Sequence, residues 1–578
     1  MALTHINLGS VPNDGKGDNL RTAGSKINAN FAQLTKLEFE TVAALLANSN
    51  LGYGSGAGQV AAGDIIRTRK EDHAYEVAAS GARDEHVQTA GGVRLYVLPT
   101  QEGHLPAVGF GWQANNNQSA AAGNHTALDK ALRAGSAQGR LVAIPAGVGF
   151  TSRGWRYENG NYRGSGIIGL GARGSSIIRF ANALSGGGSD RVWMINLHEP
   201  NTSYHFTLIN VMLDGNWAGN AADASCGLRM TLGNIAEHVF LDKVDTCNFG
   251  NGARRWLGGI TENACIDRDG RSWNNQSASA HGFSTRSGVT NFGHPVIFEN
   301  CVAWDNGGYN FDISSGSAIV KGTMHLFENK NSQSGSMKMS VESERMIADR
   351  IISEDAQGVG FRTTGDPLVD VNINVAEFHR SSDVGFRTQA SRLLKFGHLK
   401  FVAGKNQDFL PTTEAIDIDV LELLDGDWND NDSAGSSGYQ CFLRGPLRYV
   451  RIGKLIAHNN RSRVLLVRPD SNTPTPATLV DIGYLELVDN NRSNHGSNYL
   501  IEADSRNHPV HMRIRDGAAY DTRGTPRQTR IFRAYAEGGR AARIDINRFV
   551  FGAGAQSGSR FSTSGTGAAI TVGESIGV

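Results

Sequence analysis

Cysteine, proline and net charge are all scarce in this chain of 578 residues. The five cysteines, Cys226, Cys247, Cys265, Cys301 and Cys441, are odd in number, and none lies in a C-x-x-C pair. That excludes a zinc ribbon or a disulfide framework and leaves small buried thiols. Lys+Arg and Asp+Glu are both 56, so no global field draws the chain to nucleic acid or to an anionic membrane. No run approaches 18 apolar residues, which excludes a membrane-spanning helix. The opening MALTHINLGS has no basic region followed by an apolar one, so no signal peptide is expected. Neither cofactor nor metal cage is indicated. Charged residues are only 19% and hydrophobic ones 39%, which is too apolar for a disordered chain.

Glycine is what the chain has in excess: 71 residues. No Gly-X-Y period accompanies it, so collagen is excluded. GYGSGAGQVAAGD (52–64) lacks the Gly-Lys-Ser/Thr ending and flanking elements of a phosphate-binding loop. Short aliphatic runs instead alternate with Asn/Asp/Gly turns, as in 166–180, 206–216 and 296–314. Phe283, Phe311, Met339, Phe361 and Phe386 set a register with steps of 28 (311−283), 28 (339−311), 22 (361−339) and 25 (386−361). A second element recurs as FGHL (396–399), IDVL (418–421), IGKL (452–455), IGYL (482–485) and INRF (546–549). Its last step is 64 (546−482), about twice the others, with an unseen copy expected between. Repeats of this length, with a short strand per side, predict an all-β, right-handed parallel β-helix of three-sided coils. Glycine would supply the corners, where φ is positive.

The first hundred residues differ. Leu20, Ala23, Ile27, Phe31 and Leu34 recur at helical spacing, with Asp18 as a candidate cap. FETVAALLAN (39–48) reads as a second helix, and 65–78 and 93–99 read as strands, giving a small α+β module. The boundaries expected are 1–38 for an N-terminal helical segment, 39–112 for the small module, 113–555 for a capping helix and β-helix, and 556–578 for an extended tail.

The segment LGSVPNDGKGDNLRTAGSKINANF resembles the opening of many bacteriophage tail fibre and tailspike proteins, and 39–99 resembles their head-binding module. Residues 116–151, with an amphipathic helix, the strand Leu141 to Ile144 and Pro145-Ala146-Gly147, are similar to the start of pectate-lyase-like β-helices. The resemblance implies a homotrimeric tailspike in the virion, attached through its N-terminus to tail, baseplate or head-connector proteins. It implies an O-antigen or capsule depolymerase, without nucleic-acid binding or membrane insertion.

Strand alternation supplies candidates. With the phenylalanines inward, Ser284, Asp312, Ser340, Arg362 and Arg387 form an outward column, followed by Arg286, Ser314, Glu342, Thr364 and Gln389. Asp312 and Glu342 would be diagonal neighbours roughly 7–8 Å apart, inside the separation of about 6.5–9.5 Å that inverting glycosidases use. His281, Glu299 and Asp305 are further catalytic candidates from the polar stretch 265–314. Arg286, Lys338, Arg362, Arg387, Asp267, Asp269 and Trp304 are substrate-binding candidates, and Trp256, Trp273 and Trp428 further sugar platforms. SAHGFSTRSGV (279–289) is similar to a DGFSTH-like coil of polysaccharide-active β-helices but departs from it at both ends. The crowding of acids favours hydrolysis. Elimination on a uronate, by His281 with Arg286 or Lys338 with Arg362, stays open. So do a glycan-binding adhesin without activity and a purely structural tail protein.

Overall fold

Runs of strand-forming residues, broken by turn residues, pair with the next run of the same kind. A computed structural model describes residues 6–8, 15–35, 37–54, 59–157, 162–184, 192–197, 203–220, 225–230, 235–256, 265–278, 280–285, 294–330, 335–364, 369–389, 391–427, 439–461, 463–470, 477–490, 499–523, 528, 530–555 and 560–577. The described chain divides into two compact units, residues 1–182 with 205–212, and residues 183–204 with 213–578.

The first unit holds the helix Leu20–Thr35, a short helix Val42–Leu46 capped by the Thr41 side chain, and a five-stranded sheet. In that sheet Ile65–Thr68, Ala74–Val77 and Arg94–Val97 pair antiparallel. The capping helix is longer than the sequence indicates, Ala121–Gln138, and ends on Gly139 at φ 62°. Its buried face, Leu128, Ala131 and Leu132, covers apolar groups that the first parallel strands would otherwise expose. Those strands stack in register, Leu141–Ile144 on Gly166–Gly169 and Gly147–Thr151 on Ser176–Phe180.

The second unit is a parallel β-helix. Its early coils have three separate strands, as where Arg271–Trp273 pairs with Val302–Trp304. Later coils have one short and one long strand. The long strand skips one residue in each pairing, so Ile373↔Phe396 and Val375↔His398 are partners while Asn374 and Gly397 stand between. The second repeat follows this register throughout: Phe396, Ile418, Ile452, Ile482, Ile514 and Ile546 are successive partners. The unseen copy is IRDG at 514–517, 32 residues from each neighbour (514−482 and 546−514).

The phenylalanine register is corrected in one place. Met337, not Met339, is the partner of both Phe311 and Phe361, while Met339 pairs with Ile313. Both methionines are fully buried two residues apart, so alternation alone does not choose between them.

Glycine does not turn the main corner. Asn248, Asn274, Asp305, Glu328, Asp355, Arg380, Ala403, Asp425, Asn459 and Asp489 take φ between 48° and 56°, each just past a coil's last strand. Asn and Asp dominate because their side chains bond locally in the left-handed region. Beside the corner runs a buried amide ladder. Asn275 donates to Asn306 Oδ1 at 2.6 Å, and Asn306 in turn donates to Asn310 Oδ1 at 2.8 Å and to the Ser272 carbonyl at 3.2 Å. Further on, Asn460 donates to Asn490 Oδ1 at 2.8 Å. Glycine instead fills several of the skipped positions, among them Gly397, Gly453, Gly483 and Gly573. A Cβ on Gly453 would stand 2.6 Å from the Asp419 carbonyl oxygen, and one on Gly483 2.4 Å from that of Gly453.

The zero net charge is also built locally. Lys395, Asp417, Arg451, Asp481, Arg513 and Asp545 succeed one another in register on an outer face. Arg451 meets Asp417 at 2.5 Å and Arg515 meets Asp481 at 2.7 Å. Residues expected as an extended tail add a further coil, because Phe561–Ser564 and Ala568–Gly577 keep the strand alternation and pair with the preceding strands. All five cysteines are buried, and none forms a disulfide.

One buried acid gives a pH test. Asp408 is 1% exposed, and burial pushes its carboxyl well above the usual carboxylate range. A raised folded-state pKa means that stability is lost as pH climbs from the unfolded carboxylate value through the folded one. Asp408→Asn should therefore raise the melting temperature at pH 8 by about 1–3 °C and leave it almost unchanged at low pH. Calorimetry at the two pH values checks this, and a lower melting temperature at pH 8 would refute it.

Candidate active site on the short-strand face

The site grows from the strand that opens each coil. Phe283, Phe311, Met337, Phe361 and Phe386 are register partners and point inward, fully buried. Alternation turns the next residues outward. The column is therefore Ser284, Asp312, Lys338, Arg362 and Arg387. Lys338 replaces Ser340 of the sequence reading, and this one change alters the chemistry of the column. A cation, not a hydroxyl, stands beside Asp312.

Around Asp312 the groups converge. Its carboxylate is 1% exposed. Oδ2 accepts from Ser314 Oγ at 2.6 Å and faces His281 Nε2 at 3.3 Å. Oδ1 is buried without a hydrogen-bond partner, 3.9 Å from Lys338 Nζ. His281 Nδ1 accepts the Tyr309 backbone N–H at 2.9 Å. In the neutral ring this leaves the proton on Nε2, directed at Asp312. The Tyr309 ring lies beside His281, centroids 5.6 Å apart, and beneath Lys338 Nζ at 5.4 Å. Burial pushes the Tyr309 phenol above its ordinary value; Arg362 pulls it down and Asp312 pushes it up. The phenol oxygen makes no hydrogen bond among the described residues. Two further cations follow on the next coils, Arg362 and then Arg387.

The structure thus brings together four of the expected residues, His281, Asp312, Lys338 and Arg362, with Arg387 one coil on. It separates others. Glu342 stands opposite Ser315, not diagonal to Asp312, because the register shifts between Ile313 and Ser315. The expected acid pair is therefore not formed on the expected spacing. Asp267 is 0% exposed between Leu241 and Phe298, so it faces inward and not toward a substrate. Asp269 and Asp305 are left-handed corner residues, and Asp305 pairs with Lys330 at 2.8 Å. Glu299 sits opposite Arg268 and Lys321 on another strand of the coil. Trp304 is sandwiched between Trp273 at 4.8 Å and Phe327 at 5.4 Å, both planes within 2°. Its two faces are occupied, which removes it as a sugar platform. Arg286 and Trp428 lie outside the described residues, as do the side chains of Glu342 and Trp256.

Tyr309 was missed. It sits in the turn before the strand, where the alternation rule has no reach. The available signal was its place two residues before Phe311 in a polar stretch, which does not distinguish it from any other turn residue.

No protein-family model matches the chain, and no curated protein matches it. Three solved structures are similar. The A-module of mannuronan C-5 epimerase AlgE6 from Azotobacter vinelandii is 15% identical, over 82% of this chain and 99% of that one, with a TM-score of 0.40. The catalytic unit of a GH87 alpha-1,3-glucanase from Streptomyces thermodiastaticus is 11% identical, over 84% and 73%, with a TM-score of 0.33. The Agl-KA catalytic domain is 10% identical, over 85% and 73%, at 0.27. Likeness this distant says nothing about the activity of this chain. The parallel β-helix rests on its own strand register.

Proposed function

We propose that this chain is a polysaccharide depolymerase that cleaves a uronate-containing glycan by β-elimination. The observation that carries this is the convergence of Tyr309, His281, Asp312, Lys338 and Arg362 on one face. Elimination needs cations on the uronate carboxylate, which acidify the α-proton, and a group that moves that proton. Lys338 and Arg362 are the cations. The Tyr309 oxygen takes the C5 proton in its ionised form, a C4–C5 double bond forms and the C4–O bond breaks. The same phenol then gives the proton to the departing glycosidic oxygen and is left ionised again. His281 and Asp312 position the others: Asp312 holds Lys338 forward, and His281 fixes the backbone of Tyr309. Hydrolysis, which the density of acids favoured in the sequence, requires two carboxyls across the bond. Glu342, the residue expected to supply the second carboxyl beside Asp312, stands instead opposite Ser315.

The N-terminal motif and the helix it forms support a tailspike role: a homotrimer in the virion, fixed by its N-terminus and acting on host O-antigen or capsule. Purified protein incubated with such polysaccharides should release oligosaccharides carrying the ultraviolet absorbance of an unsaturated uronate. Shortened products without that absorbance would instead indicate hydrolysis, and unchanged polymer with measurable binding an adhesin. Asp312→Asn should lose about 10²-fold or more in kcat/KM with an unchanged circular dichroism spectrum, and full activity in it would remove the site from this face.

A further inference from the structure

The outward column does not end at Arg387. Its next member is Leu410; on the following coil Cys441 is the partner of Phe409, and from the adjacent Phe442 the column continues as Leu466, Glu502 and Arg533. Glu502 lies seven coils beyond Asp312, about 34 Å at roughly 4.8 Å per strand. Here the surface changes character. Arg463 lies over the Tyr439 ring at 4.3 Å, Arg533 over Tyr535 at 4.9 Å, Arg506 over Tyr535 at 5.4 Å and Arg530 over Tyr499 at 5.7 Å. Arg468 and Arg444 flank Phe442 at 5.5 and 6.0 Å. Six arginines thus lie over four aromatic rings, of which Phe442, Tyr499 and Tyr535 are partly exposed and Tyr439 is buried, in a chain whose net charge is zero.

Their carboxylate partners are few. Asp504, 0% exposed, is gripped by Arg468 and Arg506, each at 2.7 Å. Glu502, 5% exposed, accepts from the Tyr439 hydroxyl and stands 3.7 Å from Arg533. Glu537 at the rim accepts from the Tyr535 hydroxyl at 3.1 Å. Arg444 and Arg530 have no carboxylate partner among the described residues: Arg444 donates to the Thr412 hydroxyl at 3.2 Å, and Arg530 meets only the Tyr499 ring through its side chain. On the long-strand face, by contrast, Arg451, Arg515 and His511 each meet a carboxylate of a neighbouring coil. A guanidinium over an aromatic ring still offers N–H donors at its edge to a planar acid, and those of Arg444 and Arg530 are taken by no carboxylate among the described residues. The partly exposed rings of Phe442, Tyr499 and Tyr535 suit the apolar face of a pyranose.

We infer that this arginine–aromatic strip is a second glycan-binding site, which takes carboxylated sugar residues and is separate from the site of cleavage. It goes beyond the elimination reading and does not require it. If both hold, one polyanionic chain spanning about 34 Å engages the strip and the Asp312 column together, and the strip retains polymer between cleavages.

The test uses full-length protein carrying Asp312→Asn, to suppress cleavage, and isothermal titration with polygalacturonate, alginate and polysialic acid, against neutral dextran and dextran sulfate. At least one carboxylated polymer should bind, dextran should not, and affinity should fall with salt. Adding Arg530→Ala and Arg533→Ala should weaken that binding at least tenfold. Arg444→Gln alone, at a side chain without an ion pair, should weaken it about threefold and serves if the double variant fails to fold. In the background with Asp312 intact, the same arginine changes should leave turnover of short oligosaccharides unchanged while raising KM for polymer. Unchanged affinity in the arginine variants, or no binding to any carboxylated polymer, would overturn the inference. Equal binding of dextran sulfate would overturn the assignment to carboxylates. An Asp312→Asn protein that still cleaves while the arginine variants lose binding would refute the catalytic reading and keep this one.

Discussion

Tyr309→Phe should lower kcat/KM for depolymerisation by about 10²–10⁴-fold, the range that a positioned acid–base group contributes. The ring would stay in its place beside His281 and under Lys338, since only the oxygen is removed. Polymer binding should be unchanged, because Lys338, Arg362 and Arg387 keep their charges. The pH profile makes the argument stricter. Burial raises the phenol above its ordinary value, so at neutral pH only a small fraction is ionised. If the ionised oxygen is the base, kcat/KM rises about tenfold per pH unit through the neutral range and levels off on the alkaline side. Arg362→Ala removes the charge that pulls the phenol down, so it should move the rising limb to higher pH as well as raising KM. A flat profile from pH 6 to 9, or a Tyr309→Phe enzyme within twofold of the parent, would exclude the phenol as the proton carrier.

The largest effect on stability is expected from Asn306→Ala. Asn306 is fully buried and holds four contacts: Asn275 N at 3.4 Å, Asn275 Nδ2 at 2.6 Å, Asn310 Oδ1 at 2.8 Å and the Ser272 carbonyl at 3.2 Å. Truncation leaves those partners in a dry interior without replacement, at about 2–3 kcal/mol. The damage should stay near its own coils, because stacked repeats exchange contacts chiefly with their neighbours. Hydrogen exchange in Phe311–Phe327 should speed up while that in Val510–Tyr520 does not. Asn310 precedes the strand that carries Asp312, so the variant should also lose activity in proportion to that local opening. Uniform protection across both strands would mean that the amide ladder is not what holds this corner.

Much of this was written in the repeats. The Ile-x-x-Leu element predicted its partners one by one, even to the interval at which Ile514 stands. It worked because an inward position in a parallel coil sees its own equivalent above and below, so one residue type stacks on itself. The Phe column worked for the same reason and slipped only at Met337 and Met339, where two buried residues of one type lie two apart. That slip mattered more than its size. It exchanged Ser340 for Lys338 beside Asp312, and with it a hydroxyl for a cation. Glycine was read correctly only in part: Gly335, Gly445 and Gly565 do hold positive φ, but the corner after each coil's last strand belongs mainly to Asn and Asp.

The sequence by itself determined the class of fold, the length of the coil and the alternation that sends Asp312, Arg362 and Arg387 outward. Those properties depend on local periodicity, which a chain carries in its order. Only the tertiary structure decided which residues meet. Tyr309, His281 and Lys338 come from three different stretches, 28 (309−281) and 29 (338−309) residues apart, and their contact depends on the lengths of the turns between strands. Turn length fixes register, and register fixes neighbours. The same holds for the arginines of the second face, which are scattered from Arg444 to Arg533 and become one surface only when the coils stack.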